Sequence, residues 1–237
     1  MGNYLFIHGG WHGAWCWNRL VPLLTKRGHN VIALDLPSHG RDRTPTAKVT
    51  MTDYVNAVVA QLDALSGPAV LVGHSSGGAV ATQVAEERPE KVSCVVYLAA
   101  FILQNGESIM SIIQQAHESV LLKNLVPSPE QNELNVPDGA LRECFYGNCS
   151  EEDLALAKFC LVPQPLAPAV TPVAITDKNY GRVRRVYIET LRDRAIPNAT
   201  QKQMYSRLPC EKVFSLDTDH SPFFSAPTQL AEQLAAI

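Results

Sequence analysis

The 237-residue chain reads as one α/β domain: a mostly parallel six-stranded sheet flanked by helices, with a helical cap. Three observations predict this. Short β-branched or aromatic runs, apolar on both faces, alternate with amphipathic stretches, which is the rhythm of a sheet buried between helices. The length suits a single domain, and a hydrophobic content of 46% supplies a sizeable core. One stretch, about 103–178, breaks the alternation, and so long an insertion in a compact domain is usually functional.

The strands are expected at "YLFI" (4–7), "VIALDL" (31–36), "AVLVGH" (69–74), "VSCVVYLAA" (92–100), "RRVYIET" (184–190) and "EKVFSL" (211–216). Helices are expected between them. One runs over about 14–27 and closes on Gly28; another, about 52–65, carries Tyr54, Val55, Val58, Val59 and Leu62 on one face. A third, about 76–87, is stopped by Pro89, and a last one covers about 226–236. The core is therefore expected at 1–103 and 179–237 and the cap at 104–178. No strand is expected in the cap, only helical pieces such as "SIMSIIQQAHESVLL" and "SEEDLALAKF", separated by prolines. It leaves the sheet after "YLAAF" and is expected to be a mobile cover that sets substrate choice.

A net charge of −3 with no basic run argues against nucleic acid or an anionic membrane as partner. "MGNYLFIHGG" has neither a charged leader nor a long apolar core, and Phe6 stands where a myristoylation motif needs Ser or Thr. The expected compartment is the cytoplasm, and a homodimer is left open. Cys16, Cys94, Cys144, Cys149, Cys160 and Cys210 show no CxxC spacing and read as packed, reduced thiols; a bridge within Cys144, Cys149 and Cys160 is left open. No metal cluster is expected.

The chemistry is carried by "VGHSSGGAV" (72–80). Gly73-His74-Ser75-Ser76-Gly77 is a G-x-S-x-G sequence between an expected strand and an expected helix. A strained strand-to-helix turn needs small residues two before and two after the nucleophile. Ser75 meets that condition, and Ser76 does not, because His74 stands two before it. Ser75 is therefore the expected nucleophile, and Ser76 donates only its backbone N–H to a developing oxyanion, with the helix dipole behind it.

A serine nucleophile needs a base and an acid that orients the base. His220, in "LDTDHSPFF", follows the last strand, and Asp193, in "ETLRDRAIP", follows the strand before it. Both fall at the strand C-termini, where an open parallel sheet forms its crevice. The competitors are weaker. His29 precedes a strand, His39 precedes Ser75 in the chain, and the His74 side chain is expected to point away from the nucleophile. Asp217 and Asp219 are too close to His220 in sequence, and Glu189 lies inside a strand. The second oxyanion donor is expected in "HGGWHGAW" (8–15), at the N–H of Gly10.

Taken together, "IHGGWHGAWCW", "ALDLPSHG", "VGHSSGGAV", "RVYIETLRDRAIP" and "DHSPFFSAP" resemble the α/β-hydrolase superfamily over nearly the whole chain. They resemble most the branch holding plant methyl esterases, plant hydroxynitrile lyases and bacterial esterases, including pyrethroid-hydrolysing carboxylesterases. The resemblance implies the α/β-hydrolase fold, a Ser75–His220–Asp193 triad, an oxyanion hole at Gly10 and Ser76, and no cofactor. It also separates ester hydrolysis from the lyases, whose threonine and lysine match Gly9 and Ser221 here. The expected activity is a serine carboxylesterase for small to medium apolar esters. A lyase-like enzyme and a ligand-binding protein reusing the fold are the alternatives. Trp11, Phe101, Phe145, Tyr146, Phe159, Leu161 and Phe223 are the expected lining of an apolar substrate pocket.

Overall fold

The computed structural model describes residues 2–237. Its apolar runs pair edge to edge. Strands β1 (Asn3–Ile7), β2 (Asn30–Leu34), β3 (Ala69–His74) and β4 (Val92–Leu98) come first. Three short strands follow within the cap: β5 (Val126–Ser128), β6 (Glu133–Asn135) and β7 (Gln164–Pro165). Then come β8 (Arg185–Thr190) and β9 (Lys212–Leu216). The main sheet runs β2-β1-β3-β4-β8-β9, and every neighbouring pair in it is parallel. All six C-termini therefore leave the sheet at one edge, which brings the loops after β1, β3, β8 and β9 together.

Alternation places the side chains of each strand on opposite faces. Leu5, Ile7, Leu71, Val95 and Tyr97 pack into one layer. Phe6, Val72, Val96, Leu98 and Ile188 pack into the other. Both layers are buried, which is why the strands carry apolar residues at consecutive positions.

The helix Met51–Asp63 starts at a capping box between Thr50 and Asp53 and buries the face anticipated from its spacing. The stretch about 14–27 is not one helix. It is a 3₁₀ turn, Ala14–Trp17, followed by the helix Leu20–Thr25. Pro22 is the reason, because a residue without an N–H fits only the first turn of a helix. An additional helix, Asn198–Arg207, lies between β8 and β9. Only Gln201 and Met204 of it are buried, so its sequence has no apolar stripe to announce it.

The cap contains strands as well as helices, contrary to expectation. β5, β6 and β7 form a small antiparallel sheet. Each has two or three residues, and two of them include proline, so no alternation develops. The apolar stretch at 108–122 splits into the helices Ile109–Ile113 and Val120–Asn124, capped by Ser108 and Ser119. All six cysteines are free. Among the described residues, no helix is long and apolar enough to cross a membrane.

Candidate active site

β3 ends at His74, and the helix Gly77–Glu87 begins three residues later. Ser75 makes the turn with φ of 53°, in the left-handed region that a non-glycine residue occupies only under constraint. The constraint is visible. Ser75 N donates to Leu98 O at 3.2 Å, and Ser75 O accepts from Gly78 N and Phe101 N, both at 3.1 Å. The flanking glycines let the elements close up. A Cβ at Gly73 would lie 2.6 Å from Gly77 O, and one at Gly77 would lie 2.6 Å from Ile7 O and 2.7 Å from His8 O. The G-x-S-x-G spacing is thus a packing requirement that sets helix, β3 and β1 against one another.

Asp193 and His220 meet above the same edge. Their side chains are 0% and 1% exposed, and His220 Nδ1 lies 2.7 Å from Asp193 Oδ2. A carboxylate accepts, so Nδ1 carries the imidazole proton of the neutral ring and Nε2 presents a lone pair. Asp193 is held on every side. Oδ1 accepts from Ala195 N and Ile196 N at 2.8 Å, and Oδ2 accepts from Thr190 Oγ1 at 2.9 Å and Gln201 Nε2 at 3.1 Å. Gln201 also bonds both ends of Thr190. These two supporting residues carried no signal in the sequence, because Gln201 sits on the helix that shows no apolar stripe.

His74 joins the Ser75 turn to the His220 loop. Its Nε2–H donates to His220 O at 2.9 Å, and the two rings are 4.7 Å apart. Its position beside Ser75 therefore orients the His220 loop.

The loop after β1 is ordered by two more histidines. His8 Nε2 accepts from Leu36 N at 3.1 Å, so Nδ1 carries the proton and donates to Gly9 O at 2.8 Å. His12 N donates to the same oxygen at 3.4 Å. A trans peptide directs its N–H opposite its C=O, so the Gly10 N–H faces away from the two histidines. The amides of Gly10 and Ser76 have no hydrogen-bond partner among the described residues. Both residues line the same cavity as Ser75. Burial keeps these histidines neutral: it pushes His8 and His74 well below the usual range and His12 down to about 3.

That cavity lies between the sheet edge and the cap. Trp11 and Phe101 line it, together with Met51, Tyr54 and Val80 from the core and Ile109, Ile113 and Leu134 from the cap. The other five residues expected there lie elsewhere. Phe145 and Tyr146 are buried on the inner side of the cap, the former against Trp11 and His220, the latter with its hydroxyl on His12. Phe223 packs on Trp17 and His74. Leu161 faces a separate surface cleft. Phe159 is 91% exposed, because the helix Glu151–Cys160 turns Leu154 and Ala157 inward instead. The apolar run at 109–113 was the available pointer to this cavity's wall; Gln164, the one amide in it, had none.

The model of the alpha/beta hydrolase family matches residues 4–233. A chloroplastic Arabidopsis thaliana chain provisionally named methylesterase 11 is 34% identical over 99% of this chain, which spans 63% of that relative's length. Salicylic acid-binding protein 2 of Nicotiana tabacum is 31% identical, with 99% of this chain and 96% of the relative covered. Among solved structures, a pyrethroid hydrolase from Sphingobium faniae superposes with a TM-score of 0.91 at 31% identity, covering 99% of this chain and 96% of that one.

Proposed function

Because the chain belongs to the alpha/beta hydrolase family, we propose that it is a serine esterase hydrolysing small to medium apolar carboxylic esters. The observation that carries the reading is the buried His220–Asp193 pair, with Nε2 of the imidazole left free, beside a strained serine turn that opens into an apolar cavity. Relatives named as methylesterases and a pyrethroid hydrolase support ester chemistry.

In this mechanism His220 Nε2 takes the proton of Ser75 Oγ as the oxygen attacks the ester carbonyl carbon. The carbonyl oxygen gains the negative charge and is met by the N–H groups of Gly10 and Ser76, the latter at a helix N-terminus. Collapse expels the alkoxide, which receives the proton from His220 and leaves as the alcohol. Water, deprotonated by the same nitrogen, then attacks the acyl-enzyme and releases the acid. Asp193 keeps the imidazole in the required tautomer and stabilises its cationic form. The apolar cavity excludes water from the acyl-enzyme until the alcohol has left.

A lyase reading is disfavoured at position 9. A Cβ there would sit 2.8 Å from His74 Nδ1 and 2.9 Å from Ser75 Cβ, leaving no room for a hydroxylated side chain. The test is hydrolysis of p-nitrophenyl acetate by the wild type and by Ser75→Ala and Ser76→Ala. Wild-type turnover with a burst, abolished in Ser75→Ala and largely kept in Ser76→Ala, is the expected result. No wild-type turnover, or equal losses from both substitutions, would overturn the assignment; mandelonitrile cleavage by the wild type would favour the lyase.

A further inference from the structure

We infer that Tyr146 and Gln164 of the cap are positioning residues for the oxyanion-binding Gly10 amide, an inference that rests on the esterase reading above. The starting point is Trp11. Its φ is 66°, in the left-handed region, although it is a bulky residue outside any helix. Such a conformation persists only where the surroundings over-determine it. Here the surroundings are the cap. Trp11 N donates to Gln164 Oε1 at 3.3 Å, Trp11 O accepts from Val162 N at 3.0 Å, and Trp11 Nε1 donates to Leu134 O at 2.8 Å. Every polar group of Trp11 is therefore bonded to the segment expected from sequence to be a mobile cover.

The preceding carbonyl is held from the opposite side. Gly10 O accepts from His12 Nδ1–H at 2.8 Å, which leaves His12 Nε2 as an acceptor, and the Tyr146 hydroxyl donates to it at 2.7 Å. The Gly10–Trp11 peptide is thus clamped at both ends, its oxygen through His12 by Tyr146 and its N–H by Gln164. Gln164 is itself fixed. Its Nε2 donates to Pro165 O at 2.9 Å and to Tyr54 Oη at 3.2 Å, while His39 Nε2 bonds its Oε1 at 3.1 Å. That set of partners settles which end of the amide faces Trp11. The amide is also close: a Cβ on Gly10 would lie 3.1 Å from Oε1.

Release of either clamp lets the Gly10–Trp11 peptide rotate and Trp11 leave the left-handed region. The Gly9–Gly10 peptide, which carries the Gly10 N–H and is held by His8, then loses its fixed neighbour across the shared Cα, and the Gly10 carbonyl dipole can turn toward the cavity, where it would repel a developing oxyanion. Neither Tyr146 nor Gln164 need touch the reacting atoms for this to slow the chemical step. Substrate binding depends on the apolar walls, which neither substitution removes.

The variants are Tyr146→Phe, which deletes one hydroxyl, Gln164→Met, which keeps the shape and loses the amide, and the double variant. They are assayed with p-nitrophenyl acetate and with an alkyl trifluoromethyl ketone, which adds to the serine and forms an oxyanion. Each single variant should lose about 10-fold in kcat, less than the 10²–10³ of deleting a donor outright, with KM changed less than about 2-fold. The trifluoromethyl ketone inhibition constant should weaken in parallel with kcat. The double variant should lose less than the product of the singles, because both clamps hold one peptide. Unchanged kcat in both singles overturns the inference, as does a rise in KM alone, which would mark Gln164 as a pocket wall only. If Tyr146→Phe does not fold, the Gln164→Met split decides by itself. A wild type without esterase turnover would instead sink the esterase reading, so the two failures are distinguishable.

Discussion

Replacing Gly77 by alanine should damage stability and catalysis through one displacement. The added Cβ would sit 2.6 Å from Ile7 O and 2.7 Å from His8 O, about 0.8 Å inside the 3.4 Å at which ordinary contact begins. Both neighbours are backbone atoms at the end of β1, so no side-chain rotation relieves the overlap. The helix Gly77–Glu87 and β1 must separate by several tenths of an ångström. Overpacking of this kind costs about 2 kcal/mol, which for a chain of this size lowers Tm by roughly 4–8 °C. The same separation moves Ser75 and Ser76, on one side, from Gly10, on the other. A misplacement near 1 Å at reacting groups can cost about 10²-fold in rate. The assay pairs urea unfolding with kcat on p-nitrophenyl acetate. Gly77→Ala with wild-type stability, or with lost stability and full kcat, would refute the claim that this glycine sets the spacing between the nucleophile turn and the Gly10 loop.

Gln201→Leu should lower kcat and cost about 1–3 kcal/mol, because Thr190 and Asp193 both lose a buried partner; an unchanged urea midpoint would remove Gln201 from the support of the acid. Stability should fall with acidification from pH 7 to 5. Burial lowers the pKa of His8, His12, His39 and His74, so unfolding lets each take a proton below the free value near ~6.5. This contribution is full above pH 6.5 and is lost on acidification toward the folded values; His12, at about 3, accounts for about 2 kcal/mol between pH 7 and 5. A flat urea midpoint over that window would contradict it. Phe159→Ala should leave kcat and Tm within error, because the ring is 91% exposed, whereas Phe101→Ala, in the cavity wall, should change the ranking of a panel of acyl chain lengths. Equal effects from the two would refute the assignment of the wall.

The six core strands, their order in the chain and the serine turn were legible because each rests on a local rule. A strand buried on both faces must be apolar at consecutive positions, and a serine turn squeezed between strand and helix must have glycine at 73 and 77. The expectation that Ser75, Asp193 and His220 meet at one edge follows from those strands once all of them run parallel. What no local pattern carried was the support. Gln201 and Gln164 are polar residues on elements with no apolar stripe or on a two-residue strand, and their roles exist only in the partners they meet across 11 and 153 positions of chain. The same reason separates the pocket residues that were anticipated from those that were not. Phe159 and Phe101 are equally aromatic, and only the rotation of one helix and the path of the loop after β4 send the first to solvent and the second to the cavity. Composition and spacing determined the strands and the serine turn, and which residues stand at the strand ends. The packing of the cap against the loop after β1 determined where its amides point, because hydrogen-bond direction is a property of assembled neighbours and not of a sequence window.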